Sequence, residues 1–250
     1  MSFLECLLVL VAGFGAGTIN AVIGSGTLIT FPVLLAVGYP PVVANVSNNI
    51  GLVPGAASSA VAYKRELEGT RSQLMRYAPA TIAGSIAGAA LLLSLPPDSF
   101  KAIVPVLIAI ALVLVVAQPR ISRWVEARRE VHRPHGGPLL LVGIFGIGIY
   151  GGYFGGGQGI LLFALLASSL VQDLRSVNAV RAVLTGFANA TAALIFVFAA
   201  DVAWLAVLLI ALGSTAGGVF GASIGRRLPD PILRAVIVVV GLAAIAQLVL

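Results

Sequence analysis

The chain has 250 residues, of which 59% are apolar and 10% charged, and its mean hydropathy is +1.07. A soluble domain carries about 25% charged residues, and with so few this chain could not cover a soluble surface. The net charge of +6 is not a nucleic-acid footprint, because the basic residues fall between long apolar windows, where the positive-inside rule puts them.

The N-terminal segment, Met1 to Glu5, has no basic residue, so a cleavable signal peptide is not expected. Cys6 is the single cysteine and excludes an intrachain disulfide. Residues 6–63 contain no Asp, Glu, Lys or Arg, and neither do 182–200 or 202–225. A spanning helix needs roughly 20 apolar residues, so several such windows fit.

A first helix is expected over 2–19, followed by a polar, glycine-rich break at 20–26 and a short helix over 27–37. After Gly38-Tyr39-Pro40-Pro41 comes a helix over 42–63, then a charged loop at 64–76. Helices over 77–93 and 99–117 flank Pro96-Pro97. Residues 118–138 form the longest polar stretch, with Arg120, Arg123, Arg128, Arg129 and Arg133. Beyond it come 139–153, a second glycine break at 155–159, then 160–171, 177–199, 202–224 and 231–250.

The halves repeat each other. Gly24-Ser25-Gly26-Thr27-Leu28-Ile29-Thr30-Phe31 matches Gly156-Gly157-Gln158-Gly159-Ile160-Leu161-Leu162-Phe163. Gly84-Ser85-Ile86-Ala87-Gly88 matches Gly213-Ser214-Thr215-Ala216-Gly217, and Leu95-Pro96 matches Leu228-Pro229. The expected organisation is a first transmembrane repeat over 1–117, a cytoplasmic basic linker over 118–138 and a second repeat over 139–250.

Charge chooses between two topologies. If each broken segment crosses once, the halves are parallel and six of the fifteen basic residues fall on the outer side. If each goes in and comes back, the halves are inverted and only Lys101 is outside. The positive-inside rule favours the second. Residues 27–37 would make about 16 Å of helix, half of a hydrocarbon core of roughly 30 Å. The fold expected is an all-α integral membrane bundle of two inverted repeats, each starting with a glycine-broken, re-entrant segment; two tilted crossings per break would leave the loops on the same sides.

Broken backbone is tolerated in lipid only where protein or a cavity surrounds it, and paired breaks in two halves point to a transporter's binding site. A helix start offers unpartnered N–H groups and a positive dipole end, and glycine lets an anion come close. The candidate substrate-binding residues here are Gly24, Ser25, Gly26 and Thr27, with Gly155, Gly156, Gly157, Gln158 and Gly159. The donors expected are the N–H groups at Thr27 and Ile160. Polar residues inside the spans add Asn45, Ser47, Asn48 and Asn49 to the first half and Asn178 and Arg181 to the second, with Arg181 at the position of Asn49. Asn20 and Asn189 are further cavity-lining candidates. For Arg181 the competing reading is a snorkelling interfacial side chain. Gly84, Gly88, Gly213 and Gly217 read as helix-packing residues, and Asp201, beside Trp204, as a helix-end residue.

These residues resemble a known family. Asn20-Ala-Val-Ile-Gly24-Ser-Gly-Thr-Leu-Ile-Thr-Phe-Pro32, with Gly38-Tyr-Pro-Pro41 and Ala44-Asn-Val-Ser-Asn48, resembles the first half of the sulfite exporter TauE/SafE family. Tyr150-Gly-Gly-Tyr-Phe-Gly155-Gly-Gly-Gln-Gly159 resembles its second glycine motif, and the resemblance covers nearly the whole chain. Ser25 and Thr27 depart from it, standing where members often carry glycine. The resemblance implies a multi-pass, bacterial-type inner-membrane transporter of sulfur-containing or related organic anions. It leaves open the anion, the direction and whether a proton or sodium ion is coupled. No cofactor, metal or nucleic-acid partner is expected.

Other classes fit less well. A serine protease needs a base near Ser25, and the two histidines, His132 and His135, lie in the polar linker. A pyrophosphatase-like enzyme needs carboxylates within the spans, and Gly24–Thr27 lacks the lysine of a nucleotide-binding loop. A channel or a non-transporting assembly subunit is the alternative that keeps the membrane fold.

Overall fold

The computed structural model describes residues 1–127, 137–170, 174–223 and 230–249. Among them the regular structure is entirely helical: α1 (Phe3–Val22), α2 (Thr27–Ala36), α3 (Pro41–Ala62), α4 (Arg71–Ser94), α5 (Pro97–Ala127), α6 (Pro138–Tyr153), α7 (Gln158–Ser169), α8 (Leu174–Ala199), α9 (Trp204–Ser223) and α10 (Asp230–Val249). Five of these helices, α1, α4, α5, α8 and α9, are long and apolar enough to cross a bilayer. The chain is a multi-pass membrane protein. Arg128, Arg129, Arg133, both histidines and Leu228-Pro229 lie outside the described residues.

Several boundaries differ from the sequence reading, each for a local reason. At the N-terminus, Ser2 and Glu5 form a reciprocal cap: Ser2 N–H donates to Glu5 Oε2 at 2.7 Å, and Glu5 N–H to Ser2 Oγ at 3.3 Å. At its other end α1 runs three residues past Ile19, so Asn20 is helical and the break starts at Ile23. The ladder continues through Ala21 and Val22 until Gly24, at φ 86°, turns left-handed and donates to Ile19 O at 3.0 Å. Helix α4 starts at Arg71, which shortens the charged loop, and α5 continues to Ala127, so 118–127 is helix rather than loop. Asp201 lies exposed in the short link between α8 and α9.

Small residues set the helix crossings. A Cβ on Gly13 would stand 3.0 Å from Ile210 Cα, and one on Gly17 would run into the Ser214 backbone. Gly213, Gly217 and Gly221 return these contacts against α1. The register rises together along both helices, so α1 and α9 run parallel in a close, glycine-lined crossing. Gly51 meets Val207 and Ile210, and Gly55 meets Ser214, so α3 is parallel to α9 as well. Helices α1 and α3 therefore point the same way, and the ten residues of α2 bring the chain back between them. In the second half, Gly148 and Gly152 of α6 pack on Thr81, Gly84 and Ser85 of α4 in the same manner. The packing role read for Gly84, Gly88, Gly213 and Gly217 is the one they have.

One measurement probes this crossing. Gly88→Leu puts a branched chain against the backbone of Ile149 and Tyr153. Overpacking of this kind costs about 1–3 kcal/mol or more. The purified variant should show a lower unfolding temperature, with a larger loss than Gly146→Leu, where a Cβ meets no atom of the described residues within 4 Å.

Candidate functional site

Both glycine breaks end a helix by the same device. Gly155 N–H donates to Tyr150 O at 3.0 Å with φ 78°, just as Gly24 N–H donates to Ile19 O. The caps thus align Gly24 with Gly155, one residue before the match read from the sequence, and Thr27 with Gln158, where α7 starts. The halves are not equal, however. Gly24 lies seven residues beyond the crossing glycine Gly17, and Gly155 only three beyond Gly152. The first break is one helical turn, about 6 Å, further from its crossing than the second.

The two breaks meet. Gly159 N–H donates to Gly24 O at 3.1 Å, across the halves. A Cβ on Gly24 would lie 2.7 Å from Gly159 Cα and would also run into Arg181 Nη1. Arg181 is 1% exposed. It does not snorkel: Nη1 donates to Asn20 O at 3.1 Å, and Nη2 to Ala21 O at 2.9 Å and to Asn178 Oδ1 at 2.7 Å. The two carbonyls belong to the last turn of α1, where they lack helical partners and carry the negative end of the dipole. A cation from the second half therefore caps the broken helix of the first. The first half answers with a neutral group: Asn45 Nδ2 on α3 donates to Tyr153 O, in the last turn of α6, at 2.9 Å. Asn45 stands one turn before Asn49, the counterpart of Arg181.

Other candidates are spent on holding elements together. Asn48 Nδ2 donates to Thr27 Oγ1 at 3.3 Å, and Thr30 Oγ1 donates to Asn48 Oδ1, which fixes α2 on α3. Ser47 Oγ accepts from Ala203 N–H at 2.9 Å, which ties α3 to the link before α9. Gly156 O accepts from the Tyr150 hydroxyl. The N–H expected to be free at Ile160 donates to Gly157 O at 3.0 Å, because α7 starts two residues earlier than read. Gly26 does not offer an open approach: a Cβ there would meet Ala16 O and Asn20 Cβ on α1. Gly157 has more room, with Ala111 at 3.4 Å. Asn189, 6% exposed, lies two turns along α8 from Arg181.

Several buried polar atoms at the breaks are unsatisfied. Arg181 Nε, Ser25 Oγ and both side-chain polar atoms of Gln158 are buried with no hydrogen-bond partner among the described residues, as is Asn49 Oδ1 on α3. A buried polar group left so costs about 1–3 kcal/mol, which a bound ligand or water would offset. Tyr63 was not singled out from the sequence, yet its hydroxyl donates to Ala21 O at 3.2 Å and accepts from Asn178 Nδ2 at 3.4 Å. No sequence feature marks it, since a tyrosine before Lys64 reads as an interfacial residue.

The model of the family described as sulfite exporter TauE/SafE matches residues 9–248. The chain belongs to the TauE/SafE family. Among its relatives, a probable membrane transporter protein, ORF9, of Sinorhizobium sp is 30% identical over 95% of this chain and 90% of its own length. The probable membrane transporter YfcA of Escherichia coli K12 is 25% identical over 93% of this chain and 85% of its own. A third, from Haemophilus influenzae, is 26% identical over 95% and 91%. No solved structure matches the chain. TauE/SafE membership and these relatives place the chain among membrane transporters, and both glycine breaks fall inside the matched region.

Proposed function

We propose that this TauE/SafE protein is a secondary transporter that moves small sulfur-containing or organic anions across the bacterial-type inner membrane by alternating access. The observation that carries the reading is Arg181: a guanidinium buried at the contact of two broken helices, hydrogen-bonded among the described residues to neutral oxygens, with Nε–H left over there. An anion leaving water must have its hydration replaced by convergent donors. Arg181 Nε–H, Ser25 Oγ–H and Gln158 Nε2–H are donors of that kind, and Gly24 and Gly159 keep side chains out of the way. Helices α2 and α7, 10 and 12 residues long, are the re-entrant arms, at about 15–18 Å each. In this reading 1–117 and 139–250 are inverted repeats, with the 64–70 loop and the 118–138 linker cytoplasmic, and one half rocks against the other about the breaks.

The test is a proteoliposome uptake and efflux screen over sulfite, thiosulfate, methanesulfonate, a longer sulfonate and small carboxylates, with and without imposed proton and sodium gradients. Saturable flux of at least one anion that is inhibited by the others is expected. Flux that does not saturate would favour a channel, and no flux of any anion would reject the reading.

A further inference from the structure

Beneath Arg181 lies a small vestibule of about 170 Å³, lined by Val22, Tyr63, Glu66, Leu174, Arg175 and Asn178. It opens beside the charged 64–70 loop. Two of its lining residues, Tyr63 and Asn178, belong to a closed ring of hydrogen bonds. Tyr63 Oη and Arg181 Nη2 both donate to Ala21 O, at 3.2 and 2.9 Å. Asn178 closes the ring, accepting from Arg181 through Oδ1 at 2.7 Å and donating to Tyr63 through Nδ2 at 3.4 Å. Three elements, α1, α8 and the end of α3, are tied at that one carbonyl. Arg181, a member of the ring, also lies against Gly24 and Gly159 where the two breaks meet, and Ser25 follows Gly24 in the chain.

We infer that the vestibule is the inner port of the transport path, and that Tyr63 and Asn178 are positioning residues that hold Arg181 on the end of α1 until an anion takes it over. The inference rests on the anion-site reading above. Arg181 is committed to Ala21 and Asn20 through weak neutral acceptors, and an anion is a stronger partner for a guanidinium than an amide carbonyl. An anion arriving from the vestibule reaches Asn178 and Tyr63 first. As it draws Arg181 away, Ala21 O loses one of its two donors and the last turn of α1 is freed from α8. The ring thus couples occupancy of the port to separation of the halves, without a carboxylate in the ring itself. Arg175 and Glu66 are the charged groups at the mouth; an anion enters past one of each sign.

Side-specific thiol labelling tests this. With Cys6→Ser as background, Ser25→Cys places a thiol beside Gly24 at the break, at a fully buried position of nearly unchanged size. A membrane-impermeant, anionic methanethiosulfonate is applied to right-side-out or inside-out vesicles. Tyr63→Phe removes both bonds of the hydroxyl and keeps the ring volume; Asn178→Ala opens the same ring from α8. Each should raise the labelling rate about tenfold or more from the face bearing the 64–70 loop, as loss of two hydrogen bonds implies, and leave the rate from the other face unchanged. A change below about twofold in both variants, or an equal rise from both faces, would overturn the inference. Labelling that responds while Arg181→Gln still carries anion flux leaves the ring standing and removes the anion-site reading. Labelling that does not respond while Arg181→Gln has lost flux removes the ring alone.

Discussion

Arg181→Gln is expected to weaken anion binding by roughly 10- to 150-fold, the equivalent of about 1.5–3 kcal/mol for a hydrogen bond to a charged group, and to bring flux close to background. The argument is electrostatic. Arg181 is 1% exposed, and its partners are the carbonyls of Asn20 and Ala21 and the Asn178 amide. A permanent charge in the membrane interior is costly and persists where it serves ions or pairs with them. Glutamine removes the charge, and its amide nitrogen stands at the Nε position, short of the carbonyls that Nη1 and Nη2 reach. Arg181→Lys keeps the charge but loses the fork that reaches both carbonyls and Asn178 at once, so intermediate binding is expected. Anion-dependent thermal stabilisation of the purified protein reads both variants. If Arg181→Gln lowers the unfolding temperature but keeps that stabilisation, Arg181 is only the cap of α1 and the anion site lies elsewhere.

The second large effect is expected at Gly24. Its φ of 86° is left-handed, and a methyl group would meet Arg181 Nη1 and Gly159 Cα. The backbone strain alone is about 1–3 kcal/mol, and the methyl also pushes apart the bond from Gly159 N–H to Gly24 O. Gly24→Ala should therefore lower stability and abolish flux together. Gly157→Ala is the control: its φ of 76° imposes similar strain, but the nearest atom to a Cβ is Ala111 at 3.4 Å. It should lose the stability that the strain alone costs, less than Gly24→Ala, while retaining measurable anion binding. Equal loss of binding in both would mean that strain, not the meeting of the breaks, is what matters.

This pair of variants shows why the site was only half legible in the sequence. Glycine clusters are visible as letters, and their repetition locates two breaks. Which glycine caps a helix, which faces a neighbouring helix and which touches the other break depends on φ and on packing. Gly26 and Gly24 are two residues apart, yet one faces Ala16 of its own half and the other Gly159 of the opposite half. The same holds for the asparagines. Asn45, Asn48 and Asn178 all read as polar residues in apolar helices, and each serves a different joint: the end of α6, the seat of α2 and the hold on Arg181.

The membrane fold, the helical class and the presence of two matched breaks follow from the sequence by itself, because hydropathy and glycine spacing act locally along the chain. The one-turn difference in reach between α1 and α6, the burial of Arg181 and the role of Tyr63 were decided by the tertiary structure. Hydrogen-bond partners 42 and 160 residues apart, Tyr63 and Arg181 on Ala21, leave no periodic trace in the chain. They are chosen by how closely the glycine-lined crossings let the helices approach, and closeness is a property of the packed bundle.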